Sequence, residues 1–280
     1  MSNDLVSIIM LSKDNGKYVE ETVRSVLAQT YQNWEIIFMD DSSKDDTISK
    51  MMDLMEEDRQ RLLSLSKHRD PSTGSGIASG IERRIHVSQN VTTKGFGASL
   101  NSALRDARGR WIAFLNVGDV WEPTKLEHQI AFMEQNGYAF SYTKFGLINS
   151  RSEDRGVVIG GKAHITYKEM QKCCWPNYLT VMYDAQVVGK MRVRNLKKNN
   201  DYALWLNVCE KTDCHLLDEC LAKNRTKWGR MGKLLLTNKM DWRYDCFRIE
   251  EDLSPMKATL YTIRNGFYGL VKWFKYVERA

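Results

Sequence analysis

Asp201 opens the run Asp201-Tyr202-Ala203-Leu204-Trp205-Leu206, and Asp119 closes the acidic turn Asn116-Val117-Gly118-Asp119 far upstream. Two such stations on one chain suit group transfer. One carboxylate can hold a cation beside a leaving phosphate while the other takes a proton from the attacking group. Ser12-Lys13 and Asp40-Asp41 each follow an apolar run, which places further polar groups where strands would end.

The elements that must position these groups follow from hydrophobic periodicity. Residues 6–11 form an apolar run of the kind buried on both faces of a sheet. Val19, Val23, Val26 and Leu27 recur at helical spacing, and residues 34–39 predict a second strand that stops at Asp40-Asp41-Ser42-Ser43. Asp45 or Asp46 can cap the next helix, with Ile48, Met52 and Met55 on its apolar face. Residues 84–87 predict a third strand, 95–107 a helix and 111–115 a fourth strand, so the chain alternates β and α. Ligands in such open sheets bind outside the carboxyl ends of the strands, where Ser12, Asp41 and Asp119 all fall. Further on, residues 175–183 read as a strand, 201–208 as a helix and 214–221 as a strand. Residues 70–80 are rich in turn formers; because no strand precedes Gly74-Ser75-Gly76, that segment reads as a surface loop and not as a phosphate cradle.

Composition narrows the class. The 280 residues are 42% hydrophobic and 27% charged, ordinary for a globular chain. No stretch reaches about 18 consecutive apolar residues, and Met1-Ser2-Asn3-Asp4-Leu5 lacks a basic leader, so the expectation is a cytoplasmic protein without a signal peptide or spanning helix. The six cysteines form no CxxC pair and read as buried free thiols; the five histidines are scattered singly and take no role.

Charge is uneven. Residues 222–280 carry 13 Lys and Arg against 6 Asp and Glu, while the rest of the chain has 28 against 29. In that basic segment Ile263, Phe267, Leu270, Phe274 and Val277 recur at intervals of three and four, with Arg264, Lys272, Lys275 and Arg279 on another stripe and Tyr268, Trp273 and Tyr276 adding aromatics. Such a helix can lie in the headgroup layer of an anionic membrane, or it can pack its apolar face on the rest of the protein. No nucleic-acid-binding motif accompanies the charge.

The chain resembles the family 2 glycosyltransferases over roughly residues 6–221. The resemblance is carried by Val6-Ser7-Ile8-Ile9-Met10, by Ser25-Val26-Leu27-Ala28-Gln29-Thr30-Tyr31-Gln32-Asn33-Trp34-Glu35, by Asp40-Asp41-Ser42-Ser43, by Asn101 ahead of Ala107-Arg108-Gly109, by Phe114-Leu115 through Asp119-Val120-Trp121, and by Asn200-Asp201-Tyr202-Ala203-Leu204-Trp205-Leu206. It implies an α/β GT-A fold, a Rossmann-like mixed sheet flanked by helices. Residues 1–121 would bind the nucleotide sugar, 122–221 would face the acceptor, and 222–280 would form a basic helical extension. The implied activity is inverting transfer of a sugar from a nucleotide-sugar donor, a UDP-sugar, to a glycan or lipid-linked saccharide at the inner face of the cytoplasmic membrane, in bacterial surface-polysaccharide synthesis.

By the same resemblance Asp41 accepts a hydrogen bond from the donor's base, a task suited to a carboxylate because it offers only acceptors. Ser12, Lys13, Gly95, Asn101 and Asn116 join it on the donor side. Asp119 would hold Mn²⁺ or Mg²⁺, and Asp201 would be the catalytic base, although it could also cap the helix that follows. Two departures matter. Asn116 and Gly118 stand where the family has metal-binding aspartates, which leaves three readings open: a weak metal site, metal-independent transfer with a basic residue taking the charge, or lost activity. Leu11-Ser12-Lys13-Asp14 replaces a segment that commonly carries a tyrosine against the nucleoside, so Lys13 supplies only an aliphatic stem there. The rivals from other classes are a catalytically silent sugar-nucleotide-binding protein and a basic-tailed membrane or nucleic-acid adaptor.

Overall fold

The computed structural model describes residues 3–67, 84–194, 196–226 and 239–279; the turn-rich segment 70–80 lies outside the described residues. Its centre is a parallel array of β4 (Trp111–Phe114), β1 (Val6–Ser12), β2 (Trp34–Asp40) and β3 (Ile85–Gln89), in that spatial order. Every residue of β1 and β2 is buried, and alternate side chains serve opposite faces. Ile9, Leu11, Ile37 and Met39 enter one core, whereas Val6, Ile8, Met10, Ile36 and Phe38 enter the other. Helices on both faces supply the cover, as a parallel sheet requires. They include α1 (Val19–Leu27), α2 (Thr47–Lys67), α3 (Phe96–Asp106) and α4 (Lys125–Asn136).

Beyond β4 the sheet becomes mixed. The two-residue β5 (Val120–Trp121) pairs with the late strand β10 (Cys214–Arg225), and β10 lies parallel to β6 (Phe140–Ile148). β7 (Asp154–Ile159) and β9 (Met182–Asp184) flank β6 antiparallel, and β9 closes onto β4. The short β8 (His164–Ile165) pairs with β10, followed by α5 (Tyr167–Lys172), α6 (Ala185–Val188) and α7 (Asn200–Cys209). α8 (Lys239–Asp245) and α9 (Pro255–Lys275) come last, before β11 (Val277–Arg279) joins the edge at β7. The sheet thus draws strands from both sides of residue 221.

Several motif residues turn out to be struts. Buried Glu35 on β2 accepts from Ser7 Oγ at 2.6 Å, from the Arg108 amide at 2.9 Å and from Arg108 Nε at 2.9 Å. Gly109 is required beside them, because a Cβ there would stand 2.6 Å from the Leu5 carbonyl oxygen. Gln29 donates to the Glu122 carbonyl at 2.8 Å and accepts from the Leu126 amide at 3.1 Å, tying α1 to the start of α4.

The structure corrects several sequence expectations. Met52 is 45% exposed and Met51 fills the core of α2 in its place, because the buried face runs through Met51, Leu54 and Met55. Residues 175–183 do not form one strand. Pro176 has no amide to pair, and a 3₁₀ turn at Tyr178–Thr180 precedes the short β9. Val277 and Arg279 belong to β11, not to the terminal helix. Among the six free cysteines Cys220 is exposed and Cys174 half-buried, so burial holds for four.

Of the two arrangements the sequence leaves open for the terminal helix, the apolar stripe faces outward. α9 starts with Pro255 in its first turn and buries Ala258, Thr262 and Asn265, with Asn265 Nδ2 donating to Tyr202 Oη at 2.9 Å. Its large apolar residues face outward: Met256 (81%), Leu260 (63%), Ile263 (57%), Phe267 (61%), Leu270 (42%) and Phe274 (83%) are all exposed. Among the described residues no helix is long and apolar enough to cross a membrane.

Candidate active site

A cleft of about 600 Å³ opens at the carboxyl ends of β1, β2 and β4. It brings together Ser12, Lys13, Asp41, Gly95, Asn116 and Asp201 from the expected set, and adds Lys197, Lys198, Phe96 and Tyr178. Asn101 and Asp119 do not line it.

Asp41 is held by its surroundings. Its carboxylate accepts from the Lys94 amide at 2.8 Å, the Gly95 amide at 3.2 Å and Asn90 Nδ2 at 3.0 Å. Burial pushes the carboxyl pKa up, but these donors and the Lys13 charge outweigh it and hold the group below the ordinary carboxylate value. Gly95 makes the contact feasible: its φ of 86° and ψ of 163° lie in a region open almost only to glycine, and a Cβ there would meet nothing within 4 Å. Ser12 Oγ and Asn116 Oδ1 are buried and make no hydrogen bond, so both are available to a ligand in the cleft. Lys13 Nζ donates to Thr93 Oγ1 at 2.8 Å, which leaves two of its three donor hydrogens.

Asp201 sits in the first turn of α7, half-buried in the lining of the cleft. The helix cap is Asn199, in the left-handed conformation at φ 59° that asparagine tolerates, so Asp201 is not the N-cap. Desolvation raises the Asp201 pKa above the ordinary carboxylate value, partly opposed by the Tyr202 amide. A raised pKa strengthens a carboxylate as a proton acceptor. Aromatic packing fixes the helix behind it, with Trp205 edge-on to Phe114 at 5.0 Å.

Asn101 and Asp119 are tied elsewhere. Asn101 exchanges two hydrogen bonds with the Val193 backbone, at 2.8 and 2.9 Å, and so positions the loop leading to Lys197. Asp119 is 7% exposed, and its Oδ1 accepts from Asn224 Nδ2 and the Arg225 amide, both at 2.9 Å. Burial pushes its pKa up to about 7 against those contacts. Sequence reasoning missed Lys197 and Lys198, whose one signal was direct adjacency to Asn199-Asn200-Asp201.

A mixed sheet with this order, and a cleft at its carboxyl edge joining an aspartate after β2 to one at a distant helix start, define a GT-A glycosyltransferase fold. The model of glycosyl transferase family 2 matches residues 7–194. The chain belongs to glycosyltransferase family 2 and is an enzyme of that class. TuaG of Bacillus subtilis (strain 168), named as a teichuronic acid biosynthesis glycosyltransferase, is 32% identical over 261 residues, 91% of this chain and 92% of its own length. WfgD of Escherichia coli, a UDP-Glc:alpha-D-GlcNAc-diphosphoundecaprenol beta-1,3-glucosyltransferase, is 33% identical over 74% of this chain and 71% of its own. Among solved structures, S. aureus TarS 1-349 in complex with UDP superposes with a TM-score of 0.62 at 17% identity, covering 92% of this chain and 69% of that one. The mannosyltransferase PcManGT from Pyrobaculum calidifontis, solved with GDP-Man and Mn²⁺, gives a TM-score of 0.59 at 12% identity, covering 97% of this chain and 73% of that one.

The acidic turn of this chain does not fit such a cation. Asn116 offers a neutral oxygen, Gly118 has no side chain and its carbonyl accepts from Arg225 Nε, and Asp119 is engaged away from the cleft. Among the described residues no three His, Cys, Asp or Glu side chains group to hold a metal.

Proposed function

We propose that the enzyme transfers a sugar from a UDP-sugar to a hydroxyl of a lipid-linked saccharide in surface-polysaccharide synthesis, with inversion at the anomeric carbon. The observation that carries this reading is that Asp41 and Asp201, remote in sequence, line one cleft with opposite pKa displacements. Asp41 accepts the imide N–H of uracil. Phe96, Tyr178, Leu11 and Met39 supply apolar lining for the donor, and the unpartnered Ser12 and Asn116 oxygens meet its polar groups. Asp201 takes the proton of the acceptor hydroxyl as that oxygen bonds to the anomeric carbon and the bond to the diphosphate breaks. The names of TuaG and WfgD support the polysaccharide and lipid-linked parts of the reading.

The exposed stripe of α9 supports an acceptor held in a membrane. The helix exposes Lys257 and Lys275 and carries no acidic residue, a composition suited to the headgroup layer of an anionic bilayer. The test is transfer from UDP-sugars to a saccharide-diphosphoprenol in anionic vesicles. Turnover is expected there, and absence of turnover with every UDP-sugar while a GDP-sugar reacts would overturn the donor assignment. Deleting α9 would strip cover from Tyr202, so surface substitution is the cleaner probe of the membrane part. Phe267→Ser with Phe274→Ser should abolish sedimentation with anionic vesicles at unchanged Tm, since each buried phenylalanine contributes roughly 1.5–3 kcal/mol; undiminished sedimentation would refute it.

A further inference from the structure

We infer that Lys197 and Lys198, together with Lys13, neutralise the departing diphosphate where other members of the fold use a carboxylate-bound cation. The inference rests on the donor reading above and concerns the charge that the donor brings. Two phosphates carry negative charge into the cleft, and breaking the bond to the sugar leaves more of it on the leaving oxygen. Something positive has to be placed there in advance.

The acidic turn is built against a cation. Gly118 adopts φ 110°, in the range that favours glycine, so the turn is shaped around a residue with no side chain. The aspartate that would complete a metal site has therefore been lost from both the sequence and the backbone conformation. Asp119, the remaining carboxylate, directs Oδ1 to Asn224 and Arg225 on β10. The cleft is instead lined by three lysines, Lys13, Lys197 and Lys198, alongside Asp41 and Asp201. Asp41 is already met by two backbone amides and Asn90, which leaves the lysines' charge for the ligand.

The loop bearing the lysine pair is held from several sides. Asn101 clamps Val193, the Asn200 side chain exchanges bonds with the Leu196 backbone at 3.2 and 3.0 Å, and Lys198 Nζ lies 5.7 Å from the Trp242 ring centroid. The pair immediately precedes the turn that carries Asp201, so one segment presents both the proton acceptor and the positive charge. Ammonium groups act as point charges on a phosphate.

Calorimetric titration of the full chain with UDP and with uridine, each in chelator and in excess Mn²⁺, tests the inference. UDP is expected to bind in chelator with an affinity that Mn²⁺ leaves unchanged. Lys197→Ala and Lys198→Ala should each weaken UDP by about tenfold, the equivalent of one charge-assisted hydrogen bond, and leave uridine unaffected. Both side chains are exposed, so an unchanged Tm confirms that the variants fold. UDP binding that requires Mn²⁺ would overturn the inference and leave the donor reading intact, as would lysine variants that bind UDP like the wild type. If neither UDP nor uridine binds in any condition, both fall together.

Discussion

The two walls of the cleft hold the same side chain in opposite electrostatic settings, which the proposed mechanism puts to opposite purposes. On the sheet wall, Asp41 sits in a ring of donors from Asn90, Lys94 and Gly95 that favours its charge, and its pKa is lowered. On the loop wall, Asp201 lies at a helix start where its own amide and that of Tyr202 oppose desolvation without outweighing it, and its pKa is raised. A carboxylate that binds must stay charged and still; one that takes a proton must want it. Each carboxylate meets two backbone amides, and the Asn90 side chain and the Lys13 charge beside Asp41 make the difference, so the proposed division of labour can be broken experimentally from either side.

The largest effect is expected at the loop wall. Asp201→Asn should lower transfer by roughly 10²–10⁴-fold while UDP affinity and Tm stay near wild type, as for removal of a positioned general base. Asn199 holds the N-cap position and asparagine at 201 keeps an oxygen for the first-turn amides, so an unchanged Tm separates the catalytic explanation from the structural one that the sequence left open. Wild-type transfer rates in this variant would show that another group takes the proton. In the wild type, transfer should also fall as pH drops through the raised Asp201 pKa, since protonation removes the acceptor, whereas UDP affinity should hold over that interval because the Asp41 pKa is displaced downward.

A smaller effect belongs to the sheet wall. Asp41→Asn retains an oxygen for the Lys94 amide but presents a donor where uracil also donates. UDP affinity should fall by roughly ten- to a hundredfold, the worth of one hydrogen bond to a charged group, with saturated turnover much less affected. Wild type should prefer UDP to CDP, and the variant should narrow that preference. Equal losses of affinity in Asp41→Asn and Asp201→Asn would dissolve the distinction between the walls.

The sheet wall was far more legible in the sequence than the loop wall. β1 and β2 are apolar along their whole length because both faces are covered, and such runs announce themselves. Much of the motif signal there, Ser7, Glu35, Arg108, Gly109 and Gln29, reports scaffold contacts that hold the wall in place. Residues 142–195 gave no decisive motif. β8 and β9 are two and three residues long, too short for a period, and β6 is buried on nearly every residue without the apolar continuity of β1. Lys197 and Lys198 look like solvated surface until the fold turns them toward a cleft. The direction of α9 was left open, since its apolar stripe suits either a membrane surface or an inward face and the deciding contact, Asn265 with Tyr202, joins residues far apart in the chain.

The smallest functional effect is expected at Asp119, which is as buried as Asp41 but bonded away from the cleft. Asp119→Asn should leave UDP affinity in chelator unchanged; its signature should be in stability. The folded-state pKa of about 7 lies above the unfolded carboxyl value of 3.8, so the native state holds the proton more tightly. This group therefore contributes stability that is fully present below about pH 4 and lost as pH rises through about 7. Asparagine cannot ionise but can still accept from Asn224 and the Arg225 amide. The difference in Tm between variant and wild type should consequently shift in the variant's favour between pH 5 and pH 8, as the wild type alone bears the cost of a buried charge. A Tm difference independent of pH would mean that Asp119 is not desolvated as its surroundings imply. A loss of UDP binding in the variant would return this carboxylate to the donor site and join the acidic turn to the sheet wall.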